Sequence, residues 1–348
     1  MDKILKVGII GCGSITKQRH AVEYGKNPNV EIVGFQDFKR ERAEELVKIY
    51  GGKVYDSADD LIADENIDAV SICSANKFHA SLTIAALGAG KDVLCEKPMA
   101  VTMEDCEAMY RAAKSSGKRL MIGQNQRLAP AHMKAKQLLD SGQMGRVITF
   151  STTFGHRGPE SWSVDQSSNT WFFKKDAASF GSTADLGIHK IDLMRYLIGC
   201  DVKSVISTMA TLDKKFEDGT PIEVDDNSFQ IMTFENGTTG TVTTSWTHYG
   251  EECNATVLYC ENGIIKLYSD PVYSVEIQNA DGTKVLYQID RMQTNEDVEQ
   301  TSSGVIDTFV DGVLNDKKTV LDVDEVIGSM RAVFAGVESS EKKKMVEL

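Results

Sequence analysis

The sequence predicts a two-domain α/β protein, in which a doubly wound parallel sheet is followed by an α+β domain with a large open, mostly antiparallel sheet. A length of 348 residues suits two domains of ordinary size. Residues 1–123 alternate short apolar runs with helix-forming segments, a rhythm typical of parallel strands joined by crossover helices. From residue 124 onwards the strands are longer and alternate polar with apolar positions. We therefore predict one domain over 1–123 and a second over 124–348.

The first domain is predicted from its apolar runs. Each run is bounded by glycine or polar residues and is followed by a segment rich in helix formers. The predicted strands cover 4–10, 30–35, 53–55, 68–74, 91–95 and 119–123. The predicted helices cover 14–24, 40–50, 57–62, 79–87 and 102–116. Parallel strands in this arrangement need helices on both faces of the sheet.

The second domain is predicted from hairpin signals. Glu-Asn-Gly turns at 235–237 and 261–263 separate segments in which polar and apolar residues alternate. The predicted strands cover 146–154, 228–234, 239–247, 255–259 and 263–268. Because hairpin strands pair antiparallel, we expect a largely antiparallel sheet with helices on one side.

Charge and cysteine content disfavour several classes of protein. A formal charge of −13 repels phosphate backbones and anionic headgroups, so we expect neither nucleic acid nor a membrane surface as a partner. No apolar run approaches the ~20 residues that span a bilayer, and the first residues lead directly into a strand, which favours a cytoplasmic location. The seven cysteines are scattered without a Cys-x-x-Cys pair, which favours reduced thiols and predicts no metal site.

A glycine-rich turn joins the first predicted strand to the first predicted helix. Gly11 permits the tight turn, and Gly13 allows the backbone to approach a pyrophosphate. The helix N-terminus, at Ser14 and Ile15, supplies free N–H groups and the positive end of the helix dipole. Thr16 stands where the dinucleotide-binding pattern has its third glycine, which should loosen the contact between helix and strand.

An acidic residue at the end of the second strand strengthens this interpretation. A carboxylate at Asp37 accepts hydrogen bonds from the adenosine ribose hydroxyls, and so favours NAD. Lys39 and Arg40 follow and could accommodate a 2′-phosphate, which leaves NADP possible. In the alternative interpretation, the glycines only shape a turn and Asp37 caps the next helix.

Lys97 lies in a Glu-Lys-Pro turn after the predicted strand 91–95. Carboxyl ends of strands in an open α/β sheet face the ligand crevice, which places Lys97 near the nicotinamide end of a bound dinucleotide. The peptide bond before Pro98 is a candidate for the cis form. The alternative is an ordinary solvated lysine.

Asp185 and His189 are four residues apart in a segment that leads into an amphipathic helix. Residues at this spacing share one helix face. A carboxylate beside an imidazole can orient it and raise its basicity, which suits a general base that takes a hydroxyl proton. Alternatively, Asp185 caps the helix and His189 is an interior histidine with satisfied hydrogen bonds.

Four segments, in order along nearly the whole chain, resemble the Gfo/Idh/MocA oxidoreductases, the family typified by glucose–fructose oxidoreductase and inositol dehydrogenase. The segments are residues 8–15, 74–79, 89–100 and 185–192. The resemblance implies a Rossmann domain, followed by an α/β domain whose open sheet commonly forms the interface of a homodimer or homotetramer. One departure is Ser74–Ala75–Asn76, where Thr-Pro-Asn is common.

The resemblance also implies the roles of individual residues. Lys97, Asp185 and His189 match the catalytic set. Residues that match the family's cofactor-binding positions are Ser74, Asn76, His79, Glu96, Lys97 and Arg127. The expected reaction is hydride transfer between a secondary hydroxyl and a nicotinamide cofactor: His189 takes the proton, Asp185 orients it and Lys97 stabilises the alkoxide. Whether Lys97 or His189 accepts the proton stays open.

The substrate prediction depends on an aromatic and polar loop over 155–162 and 171–174. His156 and Trp162 are expected to line the pocket together with the catalytic set, whereas Phe172 and Phe173 are expected in the core. A sugar or glycoside is the first expectation and an inositol the second. Two other functions stay open: an enzyme that keeps NAD(P) bound as an internal redox group, and a non-catalytic dinucleotide- and sugar-binding regulator.

Overall fold

The computed structural model describes residues 3–164, 166–291 and 302–348, which divide into two compact units. The first unit contains residues up to Asn125 and the described residues 302–327, and the second contains residues from Gln126 up to 291 and from Gly328 onwards. Among these described residues, no helix is both long and apolar enough to cross a membrane.

The first unit is built on a six-stranded parallel sheet with the strand order β3-β2-β1-β4-β5-β6. Strands β1 to β6 span Leu5–Ile10, Val30–Gln36, Lys53–Val54, Ala69–Ile72, Asp92–Cys95 and Leu120–Ile122. Helices α1 to α5 span Ala21–Lys26, Arg40–Tyr50, Ala58–Ala63, His79–Gly88 and Met103–Ser116. This order is that of a Rossmann fold, which confirms the predicted doubly wound sheet. The order reverses between β1 and β4, and ligands of such sheets bind at the carboxyl ends of the strands beside that point.

The second unit is built on a nine-stranded sheet with the order β14-β13-β12-β11-β7-β10-β9-β8-β15. Strands β7 to β15 span Val147–Gly155, Val202–Ala210, Asn227–Phe234, Thr239–Ser245, Thr256–Cys260, Gly263–Leu267, Val275–Asn279, Lys284–Tyr287 and Val346–Glu347. Helices α6 to α8 span Pro130–Asp140, Lys175–Ala178 and Ile188–Ile198. Among the described strands of this second sheet, β7 and β10 pair in parallel and all other neighbours pair antiparallel. The predicted, mostly antiparallel sheet is therefore confirmed.

Two further helices follow, α9 over Val305–Leu314 and α10 over Val323–Lys342. The predicted division placed everything after residue 123 in the second domain, but α9 groups with the first unit. The reason is a set of polar contacts to the end of α1 and the loop after it. Asn27 donates to Asp307 at 2.8 Å, and the backbone N–H of Ser303 donates to Glu23 at 2.9 Å.

A hydrophobic core in the second unit includes Leu186, the residue that directly follows Asp185. Its buried members are Phe154, Phe173, Leu186, Ile222, Val224 and Trp246. Phe173 is 1% exposed and Phe172 packs against the cluster, so both phenylalanines have the core role that the sequence predicted. The indole of Trp246 is fully buried and lies 5.8 Å from the Phe173 ring.

Candidate active site

The glycine-rich turn after β1 has the geometry that a dinucleotide requires. Gly11 has a φ of +92°, and a Cβ added there would lie 2.5 Å from the carbonyl oxygen of Cys73, so only glycine fits. A Cβ added at Gly13 would have no described atom within 4 Å, so the backbone at Gly13 faces open space. Ser14 and Ile15 begin the helical segment, as predicted from the sequence.

A π-helix over Thr16–His20 follows the turn and precedes α1. The hydroxyl of Thr16 donates to the carbonyl oxygen of Gly11 at 2.6 Å. Thr16 therefore closes the turn with a buried hydrogen bond, whereas the looser contact between helix and strand expected at Thr16 stays a prediction. π-helical turns are rare in proteins as a whole, but many of those that occur lie at functional sites.

Asp37 connects the end of β2 to the glycine-rich turn. Its carboxylate accepts the backbone N–H of Cys12 at 2.6 Å and that of Lys39 at 2.7 Å. The side chain does not cap α2, whose N-terminal residue has no side-chain cap. Asp37 therefore lies beside the turn, where the adenosine ribose of a dinucleotide binds in this fold.

Ser74, Asn76, His79, Glu96 and Lys97 follow the carboxyl ends of the neighbouring strands β4 and β5. The ring nitrogens of His79 lie 2.8 Å from the carbonyl oxygen of Pro98 and 3.0 Å from that of Ser74. His79 thus connects the two loops that carry the predicted cofactor residues. The Lys97–Pro98 peptide bond is cis, which confirms the expectation from the sequence.

Asp185 lies in a second π-helix, Thr183–Gly187, directly before α8. The carboxylate of Asp225 holds the start of this segment by accepting the backbone N–H groups of Gly181 at 2.7 Å and Thr183 at 2.9 Å. Burial raises the pKa of Asp225 to about 6, although these donors favour its charged form. Asp185 itself accepts the indole N–H of Trp246 at 3.1 Å.

The second unit brings the predicted Asp185, His189, His156 and Trp162 together around Phe154. Asp185 and His189 are each 7% exposed, and His156 Nε2 lies 3.8 Å from the Asp185 carboxylate. The Phe154 ring lies 5.8 Å from the His156 ring and 6.0 Å from the His189 ring. Trp162 packs edge-on against His156 at 6.3 Å. Two buried imidazoles, a buried carboxylate and a half-buried indole thus form one cluster, which can move a proton and stack against an apolar ligand face.

Arg127 has a buried partner in the same unit. Its guanidinium donates two hydrogen bonds of 2.7 Å to the carboxylate of Asp192, which also accepts the hydroxyl of Ser329 at 2.6 Å. Arg127 is 3% exposed and Asp192 is 1% exposed. The ion pair anchors the segment after β6 to α8, and the cofactor contact predicted for Arg127 stays a prediction.

Sequence reasoning missed three residues that the structure places with the predicted set. Trp246 binds Asp185, His20 lies 2.8 Å from Glu96, and Gln124 follows Gly123, the residue after β6 on which Glu96 packs. Gln124 is 1% exposed, and neither its amide nitrogen nor its amide oxygen has a hydrogen-bond partner among the described residues. The sequence carried a signal only for Gln124, which lies in the Gly123–Arg127 segment from which Arg127 was chosen.

The residues present fit a nicotinamide dinucleotide. Open space at Gly13 suits a pyrophosphate, the carboxylate of Asp37 suits a ribose, and the unsatisfied amide of Gln124 suits a group that both donates and accepts hydrogen bonds. Asp37 lies at the carboxyl edge of β2 and Gln124 beyond that of β6.

Comparisons with known proteins agree with this geometry. Residues 5–124 match the model of the oxidoreductase family with an NAD-binding Rossmann fold, and residues 132–266 match the C-terminal domain of the Gfo/Idh/MocA proteins. Levoglucosan dehydrogenase of Pseudarthrobacter phenanthrenivorans is 32% identical over 68% of this chain and 66% of its own length. Glucose-6-phosphate 3-dehydrogenase of Bacillus subtilis is 32% identical over 72% of this chain and 71% of its own.

A solved structure of levoglucosan dehydrogenase with NADH and L-sorbose is 25% identical, covers 99% of each chain and superposes with a TM-score of 0.86. Both domain models match in chain order, and the curated relatives align over about two thirds of the chain. The chain therefore belongs to the Gfo/Idh/MocA family of NAD-binding oxidoreductases.

Proposed function

We propose that this oxidoreductase is a dehydrogenase that transfers a hydride between a secondary hydroxyl of a sugar, glycoside or cyclitol and NAD. The observation that carries the proposal is the buried cluster of Asp185, His189 and His156 around Phe154. Such a cluster provides a proton acceptor that is largely shielded from water. Beside it lies an aromatic surface that suits the C–H face of a sugar. Relatives named as dehydrogenases of levoglucosan and of glucose 6-phosphate support the substrate class.

Lys97, Asp185 and His189 form the proposed catalytic set. His189 takes the hydroxyl proton, and Asp185, fixed by the indole of Trp246, orients the imidazole. The ammonium group of Lys97 donates a hydrogen bond to the oxygen on which negative charge develops. The bound nicotinamide supplies the hydride acceptor.

The proposed cofactor site follows the carboxyl edge of the first sheet. Gly11, Gly13, Ser14 and Ile15 contact the pyrophosphate, and Asp37 contacts the adenosine ribose. The nicotinamide half is assigned to Ser74, Asn76, His79, Glu96, Lys97, Arg127 and, in addition, Gln124. Because the Asp37 carboxylate is fixed next to the turn, a 2′-phosphate there meets a negative charge, which favours NAD over NADP.

His156 and Trp162 are the proposed substrate contacts beside the catalytic pair. The indole nitrogen of Trp162 is buried and has no hydrogen-bond partner among the described residues, so it is a donor for a substrate hydroxyl. Lys214, a buried cation between β8 and β9 that contacts this loop, is already paired with Glu160. A neutral sugar or glycoside therefore fits better than a phosphorylated one.

We also propose that the chain forms a homodimer or homotetramer through the second sheet, because one face of that sheet exposes apolar side chains. A cross-strand row runs through Ile206, Ile231, Thr241 and Ser151. Ile206 is 46% exposed and Ile231 is 49% exposed, which leaves apolar surface that a second copy would cover. Light scattering coupled to gel filtration measures the state, and a monomer at micromolar concentration would contradict the proposal. A cytoplasmic location stays a prediction.

The function is tested by following absorbance at 340 nm with NAD and NADP separately, against free sugars, glycosides, sugar phosphates and inositols. We expect NADH production with a neutral sugar or glycoside, and loss of that activity in His189→Ala. The variant Lys203→Ala, which changes an exposed lysine on β8, is the matched control and should keep full activity. Turnover in neither direction with any polyol, from protein that binds NADH, would overturn the proposal.

A further inference from the structure

A buried pair connects the dinucleotide-binding helix to the turn that carries Lys97. His20, the last residue of the first π-helix, is 2% exposed. Its Nε2 lies 2.8 Å from Glu96 Oε1, and its Nδ1 lies 2.8 Å from the hydroxyl of Ser71 on β4. Both ring nitrogens are therefore engaged, and the ring bridges β4 and the turn after β5.

The carboxylate of Glu96 is confined on its other sides. Its Oε2 accepts the backbone N–H of Lys97 at 3.2 Å. A Cβ added to Gly123, at the end of β6, would lie 2.9 Å from Glu96 Oε1, so the carboxylate packs directly on that glycine. The orientation of Glu96 thus sets the backbone at Lys97, and His20 is the side chain that fixes one of its oxygens.

The helix register determines where His20 points. A π-helix contains one residue more in each hydrogen-bonded turn than an α-helix, so the segment Thr16–His20 shifts the face on which His20 lies. The Thr16 hydroxyl, bonded to the carbonyl of Gly11, fixes the start of that segment to the glycine-rich turn. The imidazole is therefore held rigidly relative to the place where a pyrophosphate binds.

The charges of the pair support each other. Burial alone would lower the pKa of His20, but the Cys73 sulfur and the Glu96 carboxylate that face the ring raise it to about 10. Burial alone would raise the pKa of Glu96, but His20 and Lys97 hold it below its usual range. The other titratable group near the ring is Tyr24, whose hydroxyl donates to Ser71 at 3.3 Å. His20 and Lys97 therefore both favour the ionised form of Glu96.

We propose that His20 is a positioning residue, which fixes the Glu96–Lys97 turn from the dinucleotide-binding helix without itself touching substrate or cofactor. The inference rests on the proposed function, because Lys97 is assigned there to the reacting oxygen. According to this inference, binding of the nicotinamide half of the cofactor depends on His20, whereas binding of the adenosine half does not.

The test compares His20→Leu, His20→Gln and Tyr24→Phe in the full chain. Glutamine can present an N–H near the position of Nε2, whereas leucine leaves Glu96 without its partner. We expect His20→Leu to lower kcat by about tenfold or more, the effect of losing about 1.4 kcal/mol of alignment, and His20→Gln to recover part of the loss. Tyr24→Phe removes a hydroxyl from the same Ser71 without touching Glu96, and should keep wild-type kcat.

A pH profile separates positioning from mere structural support. In His20→Gln one of the two cations that hold the pKa of Glu96 low is gone, so that pKa rises. Protonation of Glu96 then adds to the acid limb that the proton acceptor sets, and the kcat profile falls more steeply on its acid side than in wild type. An acid limb of unchanged slope in His20→Gln, together with a kcat in folded His20→Leu within twofold of wild type, would overturn the inference.

A binding measurement decides the inference even if no sugar turns over. Fluorescence titration with NADH reports the nicotinamide half of the site, and titration with ADP-ribose, which lacks nicotinamide, reports the other half. We expect His20→Leu to weaken NADH binding by about fivefold or more and to leave ADP-ribose binding unchanged. A fivefold loss corresponds to about 1 kcal/mol, and it would be confined to the nicotinamide half of the ligand. Equal weakening of both ligands, or of neither, contradicts positioning, whereas inactive wild type that shows the selective loss contradicts only the proposed reaction.

Discussion

Arg127 and Asp192 form a bidentate ion pair with two hydrogen bonds of 2.7 Å, and both side chains are almost completely buried. Removing one partner leaves an uncompensated buried charge, which costs about 3–5 kcal/mol. We therefore expect Arg127→Ala to lower the free energy of unfolding by that amount in chemical denaturation.

The matched control for Arg127 is Arg146→Ala. Arg146 lies 3.6 Å from Glu261 on the surface, and both side chains are about half exposed. An exposed pair of this kind contributes about 1 kcal/mol or less. Equal losses in the two variants would show that burial of Arg127 does not matter to stability.

Replacement of the proposed catalytic residues should affect turnover more than binding. Lys97→Ala removes the donor to the developing alkoxide and His189→Ala removes the proton acceptor, so each should lower kcat by about 10²–10⁴-fold. The Kd for NADH in His189→Ala should stay within about twofold, because His189 belongs to the substrate side of the proposal. Near wild-type kcat in both variants would remove the catalytic assignment.

The proton acceptor itself can be identified from the pH dependence of those variants. If His189 is the base, kcat of Lys97→Ala keeps a limb near the pKa of an imidazole, whereas kcat of His189→Ala loses it. The opposite pattern would assign the role to Lys97. Presteady-state kinetics are needed alongside, since slow product release would mask the limb in both variants.

Asp37 should decide between the two nicotinamide cofactors. Asp37→Ser removes the carboxylate that is proposed to bind the adenosine ribose, so the ratio of kcat/KM for NAD over NADP should fall by about tenfold or more. The variant should also melt at a lower temperature, because the Cys12 and Lys39 N–H groups lose their acceptor. Asp59→Ser, at an exposed position in α3, controls for loss of one negative charge, and an unchanged cofactor ratio in Asp37→Ser would contradict the assignment.

Gln124 is expected to recognise the carboxamide of nicotinamide, because its buried amide offers one donor group and one acceptor without partners among the described residues. Gln124→Leu should weaken NADH by about 1–3 kcal/mol, or roughly five- to 150-fold, and leave ADP-ribose unaffected. The acetylpyridine analogue of NAD lacks the amide N–H, so wild type should bind it more weakly than NAD and Gln124→Leu should not discriminate. Gln137→Leu, on the exposed face of α6, is the control. Retained discrimination in Gln124→Leu would contradict the assignment of the carboxamide to Gln124.

Periodicity and turn chemistry in the sequence were enough to predict the fold. The helix over 40–50 was predicted to the residue, and both Glu-Asn-Gly hairpins are present. The first helix was predicted as one element over 14–24, whereas it contains a π-helix before α1, because a single extra residue in a turn leaves the apolar pattern almost unchanged. The ends of predicted strands also pointed to Asp37 and Lys97, and the four-residue spacing from Asp185 on a helix pointed to His189.

Partners that lie far apart in the chain could not be predicted in this way. The contact between Trp246 and Asp185 joins the residue after β10 to a π-helix, and the contact between His20 and Glu96 joins two segments separated by four strands. Neither pair has a fixed spacing in sequence, since each depends on how the sheet brings its strands together. Arg127 was chosen from a motif, but its pairing with Asp192 required the packing of α8.

Lys190 gives the fold a pH dependence of its own. The side chain is fully buried, with Nζ 2.9 Å from the carbonyl oxygen of Asn254, and burial lowers the pKa of Lys190 to about 7. The unfolded chain binds a proton at Lys190 below its ordinary pKa of about 10.5, so between pH 7 and 10.5 it holds more protons than the folded protein. The contribution of Lys190 to stability therefore rises as the pH rises through this range and is least favourable at pH 7 and below.

Lys190→Met removes this titration. The Tm of Lys190→Met minus that of wild type should therefore be highest at pH 7 and should decline towards pH 10. For Lys203→Met on the surface, the same difference in Tm should stay constant. If the difference in Tm between Lys190→Met and wild type is the same at pH 7 and pH 10, the ammonium group of Lys190 is as well solvated in the folded protein as in the unfolded chain.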